Sequence, residues 1–260
     1  VTGCFFAVQT YLLVGQFSYH NNEEDIMKTV GILGTGRMGV RLAEAFAKAG
    51  TRVLLGSRDP QRAERIVAGL NIPGITPTGY QQAAQAEFVL PAMFLRDGMI
   101  ETLQPYRKHL AGKIVIDISN PFNVDYTDFI LPWDTSGAEE LQRHFPEWRI
   151  VGAFKNVWWE VFDAPTFDGT VTDVFVVGDD TAAKRDFLKI VQPMPFRFVD
   201  AGRLANARVI ERMTLLSGEL GQRYGYFPRM NYRFIGEPWT PGSADRYAHL
   251  IAPAAEGGVR

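Results

Sequence analysis

The chain predicts an α/β fold built on a doubly wound parallel sheet, and three observations predict it. From Lys28 onward, short β-branched runs alternate with stretches of helical period, the pattern of a parallel sheet covered on both faces. The first run leads into "GTGRMG", which places Gly34, Gly36 and Gly39 in the G-x-G-x-x-G spacing at the start of an amphipathic helix. A second β-branched run then arrives where a βαβ unit requires it.

Each element follows in order. "TVGILG" (29–34) is the first strand, and 37–50 a helix with Met38, Leu42, Ala45, Phe46 and Ala49 at helical spacing and Gly50 as its stop. Residues 52–57 form the second strand. Residues 59–70 form a helix with Asp59 as N-cap and Pro60 in its first turn. A weak third strand lies near Ile75, a fourth over 87–94, a helix over 98–110 and a fifth strand over 113–119. "NPFNVDYTDFILPWDTS" (120–136) is long, aromatic and rich in turn residues, and reads as an active-site loop. A helix near 137–145 precedes a sixth strand at 149–154. Then come a strand within 171–180, a helix over 181–191, a last strand over 196–202 and a long helix over 204–225. The remainder is rich in proline and aromatic residues without a clear period. The expected organisation is a Rossmann-type domain over 28–200 and a small C-terminal portion, a helix with an aromatic tail, over 201–260.

Residues 1–27 stand apart. "CFFAVQTYLLVG" is apolar, yet no basic residue precedes it and it is too short to span a bilayer. The expectation is that Met27 is the natural start and that the preceding residues are an extension. Net charge is −2 with 22% charged residues, which argues against nucleic acid as the main partner. The single cysteine, Cys4, excludes an intramolecular disulfide and any multi-cysteine metal site, and fits a cytoplasmic protein. His20, His109, His144 and His249 have no ligand spacing, and no metal motif of the H-E-x-x-H kind occurs. "LSGELG" is not a nucleophile elbow, because no strand feeds it.

The glycine loop reads as a phosphate cradle. Gly34 permits the tight turn, Gly36 lets backbone approach a pyrophosphate, and Gly39 lets the helix pack on the strand. About 20 residues further on, an NAD-binding site carries an acid for the ribose 2′-OH. This chain has Ser57 and Arg58 there, with Arg62 one helical turn on and Thr35 in the glycine loop. A hydroxyl and a guanidinium suit a 2′-phosphate. Bonds to a charged group contribute roughly 1.5–3 kcal/mol each, so two would favour the phosphorylated cofactor by about two to four decades. The expected cofactor is NADP(H). Asp59 is the rival feature, and its place before Pro60 makes N-capping its expected role.

"GILGTGRMGVRLAEAFAKAGTRVLLGSRD" resembles the NADPH-dependent reductases of the deazaflavin coenzyme F420. It is also similar to the cytoplasmic nucleotide domain of the STEAP metalloreductases. "IVIDISNPF", "IVGAFKNV", "VVGDD" and "FVDAGRLANARVIE" extend the likeness over roughly residues 28–215. The resemblance implies a Rossmann domain with a small helical portion, a homodimer, and direct hydride transfer between NADP(H) and F420 or a flavin. Residue by residue, it places Gly34, Thr35, Gly36, Arg37, Met38 and Gly39 in the pyrophosphate loop, and Ser57, Arg58 and Arg62 in the 2′-phosphate clamp. It places Ala92 and Met93 beside the nicotinamide-side ribose, and Ser119, Asn120 and Pro121 along the nicotinamide. The chain departs from the pattern at the sixth strand's end. The family reads Ala-Phe-Asn, whereas this sequence has Ala153, Phe154, Lys155, Asn156 and then the tryptophan-rich "VWWEVFD". The tail from Tyr226 matches nothing in the family.

Three functions stay open on the sequence. A deazaflavin or flavin acceptor needs ring stacking, orientation and exclusion of water. A small carbonyl or imine acceptor needs a proton donor as well. Lys155 is the candidate catalytic residue for that role, with burial lowering its pKa, against the alternative that it faces phosphate or solvent. Asp117 and Glu160 are further ionisable candidates, read as a strand-end structural acid and an exposed side chain. A non-catalytic NADP(H)-sensing protein is the third reading. Trp158, Trp159, Phe162, Tyr232 and Trp239 are candidates to line a flat ring pocket, against a role in the core or a dimer interface.

Overall fold

The computed structural model describes residues 28–238. The expected N-terminal extension, Cys4, His20, Trp239 and His249 lie outside the described residues.

The first half of the chain gives β1 (Thr29–Leu33), α1 (Arg37–Lys48), β2 (Arg52–Ser57), α2 (Pro60–Leu70), β3 (Ile75–Gly79) and the one-turn α3 (Tyr80–Ala83). It continues with β4 (Phe88–Pro91), α4 (Met99–Leu103), α5 (Arg107–Leu110), β5 (Ile114–Asp117), α6 (Gly137–His144) and β6 (Arg149–Gly152). The remaining elements are β7 (Thr166–Phe167), β8 (Thr170–Val171), β9 (Asp173–Val176), α7 (Thr181–Val191), β10 (Arg197–Asp200) and α8 (Ala207–Tyr224).

Six parallel strands form one sheet in the order β3-β2-β1-β4-β5-β6. The strand order reverses between β1 and β4, and ligands of open α/β sheets bind at the carboxyl ends beside such a switch. Alternation along the strands feeds two cores. Val30, Ile32, Phe88, Leu90, Ile114 and Ile116 pack with Leu42 and Phe46 of α1 and Phe187 of α7 on one side. Leu33, Val89, Val115 and Ile150 pack with Met99, Leu103 and Leu141 on the other. The fold class is therefore the Rossmann-type doubly wound sheet that the sequence predicts.

β9 and β10 pair with each other in parallel and meet the large sheet only through a bridge between Gly152 and Val177, closed by two bonds of 2.9 Å. The helix expected over 98–110 is broken. Pro105 lies in a tight 3-10 turn, Gln104–Tyr106, between α4 and α5, and a proline cannot donate the bond a continuous helix needs there. The hairpin β7–β8 was not foreseen, although its Asp168-Gly169 turn, with φ of 46° and 78°, is a hairpin signal. The tail after α8 has no regular element as far as residue 238, yet it is tied down. Buried Asp173 accepts from Phe234 N (2.7 Å) and pairs with Arg197 and Arg233, and Tyr232 donates its hydroxyl to Met213 O at 2.7 Å. Burial alone would raise the Asp173 carboxyl, but Arg197 and the Phe234 amide outweigh it and hold its pKa below the ordinary value.

Candidate active site

The cradle lies where β1 turns into α1. Gly34 sits at φ +134°, a conformation L-residues rarely adopt, and its amide bonds Gly56 O at 3.0 Å. A Cβ at Gly34 would stand 2.4 Å from Ala92 O, and one at Gly39 would stand 2.1 Å from Gly34 O. A Cβ at Gly36 would meet nothing within 4 Å. The outer glycines thus close backbone on backbone, while the middle one leaves an open face for a pyrophosphate. Gly36 caps α1 without a side-chain acceptor, so the first helical amides remain for an anion. Arg37 is exposed with its guanidinium 4.9 Å from the Trp159 ring centroid, and Met38 packs on the core.

The residues expected at the 2′-phosphate lie together. Ser57 ends β2, and its Oγ accepts from Asp59 N at 3.2 Å. Arg58 is exposed beside it. Arg62 donates to Thr35 Oγ1 at 3.0 Å, which joins the helix to the glycine loop. Asp59 caps α2 by accepting from Gln61 N at 3.1 Å, the structural role expected of it. Tyr80, which sequence reasoning missed, packs over Gly56. Burial pushes its phenol pKa up against the nearby Arg58 charge. The signal for it was an aromatic residue at the carboxyl end of β3.

At the other end of the cleft, Ala92 packs against the glycine loop and its amide bonds Leu33 O at 2.9 Å. Met93 is half-buried beside the second core. Asn120 donates from Nδ2 to Lys155 O at 2.8 Å, while its buried Oδ1 has no hydrogen-bond partner among the described residues. Pro121 is buried and its carbonyl accepts from Ile130 N at 2.8 Å. Ser119 is buried at the end of β5. Its Oγ would stand 2.8 Å from a Cβ on Gly137, so the side chain faces the start of α6.

Lys155 corrects both sequence expectations, because it faces neither phosphate nor solvent and is not a depressed-pKa donor. It is 1% exposed. Its Nζ donates to Ser119 O at 2.5 Å and Glu211 Oε1 at 2.8 Å. Asp117 Oδ2 lies 2.5 Å away, an ion pair without hydrogen-bond alignment. Desolvation would lower the ammonium pKa, but Asp117 and then Glu211 outweigh it and raise it. Burial raises the Glu211 carboxyl in turn, against Lys155. Glu211 also accepts from Gly137 N (3.0 Å) and Ala138 N (3.4 Å), compensating the α6 N-terminus. The physical reason for the inward turn is Phe154, buried at φ +56°, which swings the chain at the end of β6. Such a conformation costs about 1–3 kcal/mol and is held only by its surroundings. Asp117 is buried, as a structural acid should be, and Glu160 is part-exposed and paired with Arg41.

The 120–136 loop closes on itself. Phe122 bridges Phe129, and Asn123 Oδ1 accepts from the amides of Thr127 and Asp128. Arg96 pins it, donating to Phe122 O (3.1 Å), Asn123 O (2.6 Å) and the Tyr126 hydroxyl (2.8 Å). An aromatic arc crosses the carboxyl ends of the strands: Phe94 on Tyr126 (5.9 Å), Tyr126 on Phe122 (5.4 Å), Phe122 on Trp158 (6.1 Å) and Trp158 on Trp159 (5.8 Å). Phe227 closes the far end against both tryptophans. Two of the residues considered for the ring pocket are elsewhere. Phe162 packs on Phe154 and Phe196 in the core, and Tyr232 secures the tail.

An open glycine cradle, a cationic clamp at the end of β2 and a β3-β2-β1-β4-β5-β6 sheet define a dinucleotide-binding Rossmann protein. Residues 29–121 match the family model for "NADP oxidoreductase coenzyme F420-dependent". The chain is 31% identical over 217 residues to the F420-dependent NADP reductase of Methanothermobacter thermautotrophicus, covering 74% of this chain and 88% of that one. It is 33% identical over 188 residues to metalloreductase STEAP3 of Rattus norvegicus, covering 72% of this chain but only 36% of that relative's length. A solved structure described as an F420-dependent NADP reductase of Arthrobacter superposes with a TM-score of 0.68 at 27% identity, covering 76% of this chain and 95% of that one. The chain belongs to the family of F420-dependent NADP reductases, and it is an NADP-dependent oxidoreductase.

Proposed function

We propose that this protein transfers a hydride between NADP(H), held by Ser57, Arg58, Arg62 and the glycine loop, and a deazaflavin of the coenzyme F420 type. The observation that carries the reading is the aromatic arc beside the cradle, with the neighbouring lysine withdrawn from it. When bound, the dinucleotide supplies the hydride at its nicotinamide ring. The chain's own residues bind and orient. The α1 N-terminus and Gly36 take the pyrophosphate, Ala92 and Met93 border the ribose, and Asn120 Oδ1 accepts from a carboxamide N–H. Trp158 and Trp159 border a planar acceptor and exclude water, backed by the buried Phe122. A carbonyl or imine acceptor is disfavoured because Lys155, its expected proton donor, is locked between Asp117 and Glu211.

The same reading makes the protein a cytoplasmic homodimer paired through α8. No helix among the described residues is long and apolar enough to cross a membrane. The test is NADPH oxidation followed at the nicotinamide absorbance with F420, FMN and FAD offered separately. Turnover with F420 is expected. NADPH binding without turnover on any of the three sinks the assignment.

A further inference from the structure

Between α7 and β10 lies a cavity of about 580 Å³ that shares no lining residue with the dinucleotide cleft. Its apolar wall is Leu188, Phe196 and Phe198. The two rings meet at 6.3 Å and are backed by rings of the core, Phe196 by Phe162 at 5.4 Å and Phe198 by Phe154 at 5.9 Å. A wall braced in this way cannot fold inward, so the cavity is pre-formed, as ligand sites usually are. Its volume falls within the range of about 300–1,000 Å³ typical of small-molecule pockets. Lys184, Arg185, Lys189 and Arg197 line the same cavity against one carboxylate, Asp200. Lys184 is held by Asp200 at 2.7 Å, and Arg197 by Asp173 at 2.6 Å. Arg185 and Lys189 are exposed, one helical turn apart on the same face of α7. They share Asp186, at 3.7 and 3.5 Å, as their only carboxylate partner among the described residues. The rim of an apolar cavity therefore carries an excess of positive charge.

We propose that this cavity is a binding site for a small apolar monocarboxylate, of the size of a medium-length acyl chain. The hydrocarbon lies along Leu188, Phe196 and Phe198 and gains affinity by leaving water. The carboxylate sits between the Arg185 guanidinium and the Lys189 ammonium, and takes charge-assisted bonds from both in place of the distant Asp186. Charge decides against a second copy of this chain as the occupant, because two such rims repel each other. The site stands apart from the hydride reaction and does not depend on which acceptor that reaction uses.

The test is calorimetric titration with octanoate, with 1-octanol as its uncharged counterpart and hexanoate as its shorter one. Octanoate is expected to saturate a single site, about tenfold tighter than octanol, the effect of one charge-assisted bond. Hexanoate binds more weakly by about fourfold for each methylene removed. Saturating NADPH leaves octanoate binding unchanged. Arg185→Gln with Lys189→Gln brings octanoate down about tenfold, to the level of octanol, and leaves octanol binding as it was. Added KCl weakens octanoate but not octanol in the unaltered protein, a readout independent of how the variant folds. Absence of octanoate binding overturns the proposal, and so does equal affinity for octanol. Displacement by NADPH assigns the bound octanoate to the dinucleotide cleft, and binding that the double substitution does not move assigns it to another surface. Either result overturns the proposal as well.

Discussion

On the proposed reading, cofactor choice rests on single side chains. Ser57 and Arg62 are already engaged with neighbours, to Asp59 N and Thr35, whereas exposed Arg58 has no ion pair among the described residues. Arg58→Asp is expected to weaken NADPH binding by about ten- to a hundredfold, the effect of losing a charge-assisted bond and adding repulsion, while NADH binding stays the same. Calorimetry with both cofactors checks this, and equal loss of both would make Arg58 a structural residue. Lys155 is the opposite kind of residue, a cation the fold has enclosed. Lys155→Met leaves Asp117 and Glu211 buried without their counter-charge, and removing one partner of a buried pair typically costs about 3–5 kcal/mol. The sign of its pH dependence follows from Glu211, whose carboxyl burial raises. A carboxyl raised in the folded protein above its unfolded value of about 4 holds a proton the unfolded chain has released. The variant's stability therefore falls as pH rises above about 4, more steeply than that of the unaltered protein. Denaturation midpoints at several pH values measure it; midpoints matching the unaltered protein would mean the cluster is not needed to hold the end of β6.

At the scale of elements, α8 turns three apolar side chains to solvent. It buries Ala207 and Ile210 together with Glu211, Thr214, Ser217, Gly218 and Gly221, while Val209, Leu216 and Leu220 are exposed. Apolar positions turned outward at helical spacing mark a face for association. Leu216→Glu with Leu220→Glu is expected to convert a dimer into a monomer in light scattering, and a monomer before substitution would refute the pairing. That outward face also shows what a sequence conceals. The strands β1, β2 and β5 and the helices α1, α2 and α7 were legible because each repeats its own period and carries its own stop or cap, such as Asp59 before Pro60. The cluster at Lys155 was not, because Glu211 lies 56 residues further on and reads as a surface residue of its helix. Arg96 was equally hidden, since it grips backbone carbonyls of a loop 26 and 27 residues away and leaves no pattern. The tail defied periodicity because Asp173 holds it by side-chain bonds to Arg197, Arg233 and the Phe234 amide.

For the whole molecule, these pieces form one device across the carboxyl edge of the sheet. On the proposed reading, the cradle and the β2 clamp hold a dinucleotide at one end. The ends of β4, β5 and β6 present a platform of rings at the other, braced beneath by the Lys155 cluster and α8. In the proposed reaction such a site passes a hydride directly from ring to ring, while the one proton the reduced deazaflavin also takes up comes from solvent rather than from a dedicated side chain. The decisive measurement is single-turnover reduction of F420 by NADPH deuterated at the transferable C4 position, with the product read by mass spectrometry. The account predicts that each reduced deazaflavin carries one deuteron derived from NADPH. Reduced product without deuterium would mean that the hydrogen passes through solvent or an intermediate carrier, and would contradict it.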